Sequence, residues 1–186
     1  MKLDKSLAHD FDGLLVYERE PIVDQRGLFE RMYCQEVLSE LGLTESIAQI
    51  NRSLTKSAGV VRGLHYQSPP HAETKIITCL EGQVYDVAVD LRPSSPTYLK
   101  YFGIHLSAKK SSTIVIPKGF AHGFQTQTDN CELLYFHTAS YQSSSEGGIN
   151  PFDSRLGIDW PLDVTLVSQR DSNLPYLNHN FLGLEL

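Results

Sequence analysis

Between Lys75 and Tyr141 the chain is a succession of short segments rich in β-branched and aromatic residues, each cut off by a turn signal. The segments are Lys75 to Leu80, Val84 to Leu91, Tyr98 to Leu106, Ser112 to Ile116 and Cys131 to Tyr141. Glu81-Gly82, Pro93-Ser94-Ser95-Pro96, Lys109-Lys110-Ser111 and Thr128-Asp129-Asn130 separate them. Such residues pack well on a pleated surface, and strands at this regular spacing predict a mainly β fold, a sandwich or barrel of the jelly-roll kind. Upstream, Tyr33, Val37, Leu38 and Leu41 fall on one face of a short N-terminal helix, with Gly42 as its left-handed cap. Downstream, Asn150 to Leu186 is rich in Pro, Asp and Asn and reads as loops and short helical turns wrapped around the strands. A chain of 186 residues holds one well-buried core and is short for two, so residues 1–186 are expected to form a single domain.

Period-two alternation assigns faces to the strands. Tyr85, Val87, Val89 and Leu91 share one side, and Asp86, Ala88 and Asp90 the other. Lys75 falls with Ile77 and Cys79, and Tyr135 with Cys131, Leu133 and His137. A lysine aligned with Ile and Cys is either at a strand end, with its head in water, or inside a cavity.

The net charge of −6 and the absence of Lys/Arg clusters argue against a nucleic-acid surface. They leave room for an anionic small molecule, which a few arginines in a cleft can bind. No apolar run approaches the length of a membrane span, and Met1 to Asp12 has no signal-peptide core. The odd, widely spaced Cys34, Cys79 and Cys131 read as reduced thiols, and the expected compartment is cytoplasmic.

Two elements carry the chemistry. Val60-Val61-Arg62-Gly63-Leu64-His65-Tyr66-Gln67 is answered by Ile116-Pro117-Lys118-Gly119-Phe120-Ala121-His122-Gly123-Phe124. Each sets histidine beside glycine in a strand-like context. Glycine permits close backbone approach, and histidine changes charge near neutral pH. By itself a histidine in a strand is more often a satisfied structural residue than a catalyst.

Taken together, four blocks resemble the dTDP-4-dehydrorhamnose 3,5-epimerases. They are Gly59 to Gln67, Asp86-Val87-Ala88-Val89-Asp90-Leu91-Arg92 with Ser95-Pro96-Thr97, Ile116 to Phe124, and Gly157-Ile158-Asp159-Trp160-Pro161. The resemblance runs from about Asp24 to Pro175. It implies a cupin-type jelly-roll β-barrel, a homodimer, no cofactor or metal, and a nucleotide-linked 4-keto-6-deoxy sugar as substrate. By that resemblance His65 is the base, Asp171 the carboxylate that orients it, Lys75 the cation facing the enolate oxygen, and Tyr135 the acid on the other face of the sugar. His122 and Arg62 line the sugar and diphosphate region. Asp24-Gln25-Arg26-Gly27-Leu28-Phe29-Glu30 resembles the family's DxRG element, with Arg26 on phosphate and Phe29 on the base. Gln49 and Asn51 match polar contacts to the nucleotide, and Glu30, Tyr141, Glu146 and Arg170 complete the substrate contacts. In rhamnose biosynthesis this family inverts C3 and C5 of dTDP-4-dehydro-6-deoxy-glucose; the close alternatives are inversion of C3 alone and a related epimerase of another nucleotide-linked 4-keto sugar.

The chain departs from the family's pattern at two places near the site. Glu73-Thr74 stands where Gln-Gly is common before the lysine, and Phe136-His137 stands where lysine often follows the tyrosine. The spacing from Arg26 to Glu30 is also one residue shorter than in some members. A metal-dependent cupin is the chief rival. Pro117 to His122 fits a PxGxxH motif, and His71 and Glu73 are the residues that would complete a site with His65 and His122. Lys75 is an awkward neighbour for a metal ion there. A non-catalytic sugar-nucleotide binding module is the second rival, and it has no use for a base, a cation and an acid together.

Overall fold

A computed structural model describes residues 2–3 and 10–186. In chain order its strands are β1 (Lys2–Leu3), β2 (Leu15–Glu18), β3 (Ile22–Asp24), β4 (Gly27–Phe29), β5 (Gln49–Thr55), β6 (Val60–Gln67) and β7 (Lys75–Glu81). They continue with β8 (Gln83–Asp90), β9 (Tyr101–Ser107), β10 (Ser112–Ile116), β11 (Phe120–Thr126), β12 (Cys131–His137), β13 (Glu146–Gly148) and β14 (Leu166–Val167). Two short helices, α1 (Gln35–Glu40) and α2 (Gln169–Ser172), complete the elements used below.

The first sheet runs β1-β2-β10-β7-β12-β5 and the second β13-β6-β11-β8-β9, with β14 pairing parallel to β6. Inward residues of both sheets meet in one core: Val16, Ile77, Cys79, Ile114 and Leu133 from the first, Val84, Ala88, Leu106, Phe120 and Phe124 from the second. This is the expected cupin-type jelly roll, built as two facing sheets with open edges at β5 and β9 rather than as a closed barrel. The alternation within each strand divides the rest of the apolar surface. Tyr17, Ile76, Val115 and Phe136 point away from the first sheet and are covered by Leu38 of α1 and by Leu43. Val87, Val89 and Leu91 point away from the second and are covered by Ile149, Leu156 and Leu184 of the carboxy-terminal wrap.

The helix is shorter than the periodicity predicts, and Gly42 does follow it with φ of 93°. The third predicted strand also starts late. Tyr98 to Lys100 form a turn in which Leu99 has φ of 61° and its N–H donates to the Asp90 carbonyl. The last one ends at His137, short of Tyr141.

One contact sets the pocket's floor. His65 and His122 are paired directly across β6 and β11, and the register shifts between His122 and Phe124. There Gly63 and Gly123 come together so tightly that a Cβ on Gly63 would lie 2.6 Å from the Gly123 Cα. The second element's glycine is thus a packing requirement of the first, as the Gly-His pattern implies.

Candidate active site

A cavity of about 560 Å³ opens between the sheets, lined from the first by β5, β7 and β12 and from the second by β6, β11 and β13. His65, Lys75, Tyr135, Gln49, Asn51, Arg62, His122, Tyr141 and Glu146 all line it. The alternation that puts Ile77 and Leu133 in the core also puts Lys75 and Tyr135 at its mouth. Lys75 is buried, so the cavity position holds and the water-exposed strand end does not.

His65 is oriented from a distant part of the chain. Its Nε2 lies 2.8 Å from Asp171 Oδ1, and Asp171 Oδ2 accepts the Gly63 N–H at 3.0 Å. Asp171 belongs to α2, where the Ser168 hydroxyl caps the helix by accepting the Asp171 N–H. Burial opposes charge on this carboxyl. The hydrogen bonds from His65 and Gly63 outweigh it and hold Asp171 below the usual carboxylate range. Lys75 Nζ donates to the His65 carbonyl at 3.3 Å, tying the ammonium to the strand that carries the imidazole.

Tyr135 shares a 3.2 Å hydrogen bond with the Ser53 hydroxyl and packs edge-on to His122. Burial pushes its phenol well above the ordinary tyrosine range; the Ser53 bond works against that, and Asp86 adds to it. His122 Nε2 lies 2.9 Å from Asp86 Oδ2, with both side chains buried. Asp86 and Ser53 were missing from the sequence-derived site. Alternation sets Asp86 with Ala88 and Asp90, opposite the more apolar side of its strand, so its inward position is not legible in the sequence; Ser53 lies on β5, which carries no conventional strand signal.

At the rim, the Tyr141 hydroxyl donates to Glu146 at 2.9 Å, and Arg170 pairs with the same carboxylate. Arg170 thus reaches the site through Glu146 without lining the cavity. The DxRG element does not reach it. β3 and β4 form a separate hairpin in which Ile22, Val23, Leu28 and Phe29 are 67–72% exposed. Arg26 is turned back on Asp24, 2.6 Å away, and Phe29 borders a different hollow beside Tyr17 and Tyr33. Glu30 is drawn inward to Arg19 at 3.1 Å, because a buried guanidinium needs a counter-charge. Within one copy of the chain, then, Arg26, Phe29 and Glu30 are apart from the residues they were expected to join.

The ligand set of the metal rival is not assembled. Glu73 is bonded to His137 and paired with Lys75, His122 with Asp86 and His65 with Asp171. Among the described residues no group of three or more His, Cys, Asp or Glu is arranged to hold a metal ion.

The family model for dTDP-4-dehydrorhamnose 3,5-epimerase matches residues 8–179. The Shigella flexneri dTDP-4-dehydrorhamnose 3,5-epimerase is 40% identical, over 88% of this chain and 91% of that one. A dTDP-4-dehydrorhamnose 3-epimerase of Streptomyces niveus is 36% identical, over 87% and 78%. The crystal structure of the Legionella pneumophila dTDP-6-deoxy-D-glucose-3,5-epimerase in complex with dTDP-4-keto-L-rhamnose superposes with a TM-score of 0.88, at 37% identity over 95% of each chain. With the family model matched over residues 8–179 and relatives at this identity, the chain belongs to the dTDP-4-dehydrorhamnose 3,5-epimerase family.

Proposed function

We propose that this chain is an isomerase that inverts C3 and C5 of dTDP-4-dehydro-6-deoxy-glucose, giving dTDP-4-dehydro-rhamnose for rhamnose biosynthesis. The observation that carries the reading is the convergence of the His65–Asp171 pair, Lys75 and Tyr135 on one cavity in a chain of this family.

A hydrogen on carbon next to a ketone can be removed because the electron pair left behind delocalises onto the ketone oxygen. His65, neutral and held by Asp171, takes that proton; a positioned base contributes about 10²–10⁴-fold. The negative charge that builds on oxygen is met by the Lys75 ammonium, a preorganised charge in a partly dry pocket. Tyr135 returns a proton to the carbon. His65 comes from the second sheet and Tyr135 from the first, so a sugar between them turns opposite faces to base and acid. That arrangement supports inversion over return of the proton to its original face. The raised phenol favours a Tyr135 that holds its proton until the enolate is there to take it.

The same proposal covers assembly. The hairpin's exposed Ile22, Val23, Leu28 and Phe29 need covering, and β5, the edge of the first sheet, leaves Ile50 and Leu54 exposed beside the cavity. A homodimer in which the hairpin lies over the second copy's β5 edge buries both, and carries Arg26 and Phe29 to the nucleotide end of that copy's pocket. Residues 1–186 act as one epimerase domain. The unpaired thiols suit a reducing compartment, and we assign the cytoplasm.

The test is solvent deuterium incorporation into dTDP-4-keto-6-deoxy-glucose. Label at both C3 and C5 is the expected result. Label at C3 alone assigns the chain to the activity named for its Streptomyces niveus relative, and no label at either carbon sinks the reading.

A further inference from the structure

Three imidazoles line the cavity, and each is backed by a buried carboxylate: His65 by Asp171, His122 by Asp86 and His137 by Glu73. The first two histidines have roles above; the third pair has none. It stands at the two places near the site where the sequence departs from its family's pattern, and these two departures touch. His137 Nδ1 is 2.8 Å from Glu73 Oε2, and the other carboxylate oxygen, Oε1, is 3.5 Å from Lys75 Nζ.

The direction of each bond follows from what each group can do. A carboxylate only accepts, so His137 carries its proton on Nδ1 and donates it to Glu73. In the singly protonated ring Nε2 is then the acceptor, and Asn51 Nδ2 is 3.3 Å from it. With its amino group committed there, Asn51 turns Oδ1 toward Gln49 Nε2, which donates at 3.1 Å. The chain therefore runs from Gln49 through Asn51 and His137 to Glu73, and meets Lys75 at its far end. Burial opposes charge on Glu73, but His137 and Lys75 together hold its carboxyl below the usual range, as an ionised hub requires.

We propose that Glu73 is a positioning residue of this site: one oxygen holds the Lys75 ammonium beside the base, and the other fixes His137 and, through it, Asn51. The inference rests on the epimerase reading above, since it assigns Lys75 to the sugar end and Asn51 to the nucleotide end. A glutamine at this position has one accepting oxygen in place of two and no charge. It can hold the His137 ring N–H or the ammonium, but not both.

The two arms predict separable defects. In Glu73→Gln the amide oxygen still accepts from His137 while Lys75 loses its counter-charge. Deuterium exchange should then lose about tenfold to hundredfold in kcat, the scale of a displaced catalytic group, with thymidine diphosphate binding by calorimetry unchanged within about threefold. In His137→Phe a ring is kept beside Tyr135 but Asn51 loses its acceptor. Thymidine diphosphate should bind about fivefold more weakly, one hydrogen bond's worth, with kcat less affected than in Glu73→Gln. Wild-type values in both variants overturn the proposal, as does a parallel fall of kcat, affinity and melting temperature, which marks a purely structural pair. Should either variant fail to fold, the ¹⁵N spectrum of the wild-type ring decides: a His137 protonated at Nδ1 alone is expected, and protonation at Nε2 overturns the proposal. Absence of exchange in the wild-type protein itself would instead refute the epimerase reading, and the ring spectrum would still test Glu73.

Discussion

Asp171 holds His65 and Gly63 with one carboxylate: Oδ1 lies 2.8 Å from His65 Nε2 and Oδ2 accepts the N–H of Gly63, two residues earlier on the same strand. The imidazole and the backbone that carries it are thus fixed together from outside β6. An amide at position 171 can accept from only one of them. Asp171→Asn should reduce deuterium exchange by roughly a hundredfold or more, the effect of losing the group that orients a histidine base, while thymidine diphosphate binding is unchanged. His65→Ala should abolish exchange at both carbons. Equal loss of binding and exchange in Asp171→Asn would show that the carboxylate holds the fold rather than the base.

The same carboxylate sets an acid limit on stability. Asp171 and Glu73 both have folded-state values below their ordinary 3.8 and 4.5. The unfolded chain therefore binds protons first, so the stabilisation is fully present above about pH 5 and is lost as pH falls through the depressed values. Urea midpoints measured from pH 6 downward should begin to fall below pH 4.5. In Asp171→Asn the wild type's advantage over the variant should shrink as pH falls through the same window, and an advantage that does not change with pH would be inconsistent with these ionised pairs.

Tyr135→Phe separates the acid from the base. His65, Asp171 and Lys75 keep their mutual contacts without the phenol, so exchange should persist while inversion is lost, read as deuterated substrate of unchanged configuration. Only the weak bond to Ser53 is removed from the fold, at a stability cost of about 1 kcal/mol or less. Full inversion in this variant would mean that another group returns the proton.

What the sequence made legible follows from which side chains obey the usual alternation. The alternation aligns Lys75 with Ile77 and Cys79 and Tyr135 with Leu133, and the core contains all three apolar partners; whether the Lys75 head reaches water or a cavity is open until the sheets are in place. β5 escaped notice for the opposite reason. Its Asn51 and Ser53 serve the cavity while Ile50 and Leu54 are exposed, so its pattern inverts the usual rule. α2 is one of the short helical turns expected of the carboxy-terminal wrap, but its place there was hidden because a single turn capped by Ser168 has no apolar periodicity to detect. The Glu73–His137 contact depends on β7 and β12 being paired so that His137 falls opposite Lys75, a register that only the folded sheets supply.

Gly63→Ala tests the floor of the site. Gly63 has φ of 118°, where a side chain is strained, and its added Cβ would meet both the Gly123 Cα and the His122 carbonyl, backbone atoms that cannot swing away. Overpacking of this kind costs about 1–3 kcal/mol, and the unfavourable φ adds about 1 kcal/mol more. Urea denaturation should show the loss, and surviving protein should exchange deuterium poorly because His65 is carried on the displaced strand. A variant as stable as wild type would mean that the strands can separate there without harm.

The placement of Arg26 and Phe29 away from their own cavity makes a prediction about pairs of chains. If the hairpin serves the second copy, a subunit carrying Arg26→Ala and Phe29→Ala still has an intact base, and a His65→Ala subunit still has an intact hairpin. In a mixed dimer one pocket then combines the wild-type base with the wild-type hairpin, and the other combines both defects. Random reassociation of equal amounts makes half the dimers mixed, so about a quarter of all pockets regain full exchange activity from two crippled parents. If each hairpin folds back onto its own pocket, every pocket in the mixture holds one defect and the activity is the mean of the two parents. The deuterium exchange rate of the mixture, after mild dissociation and reassociation, distinguishes the two arrangements without requiring that either variant bind the nucleotide well.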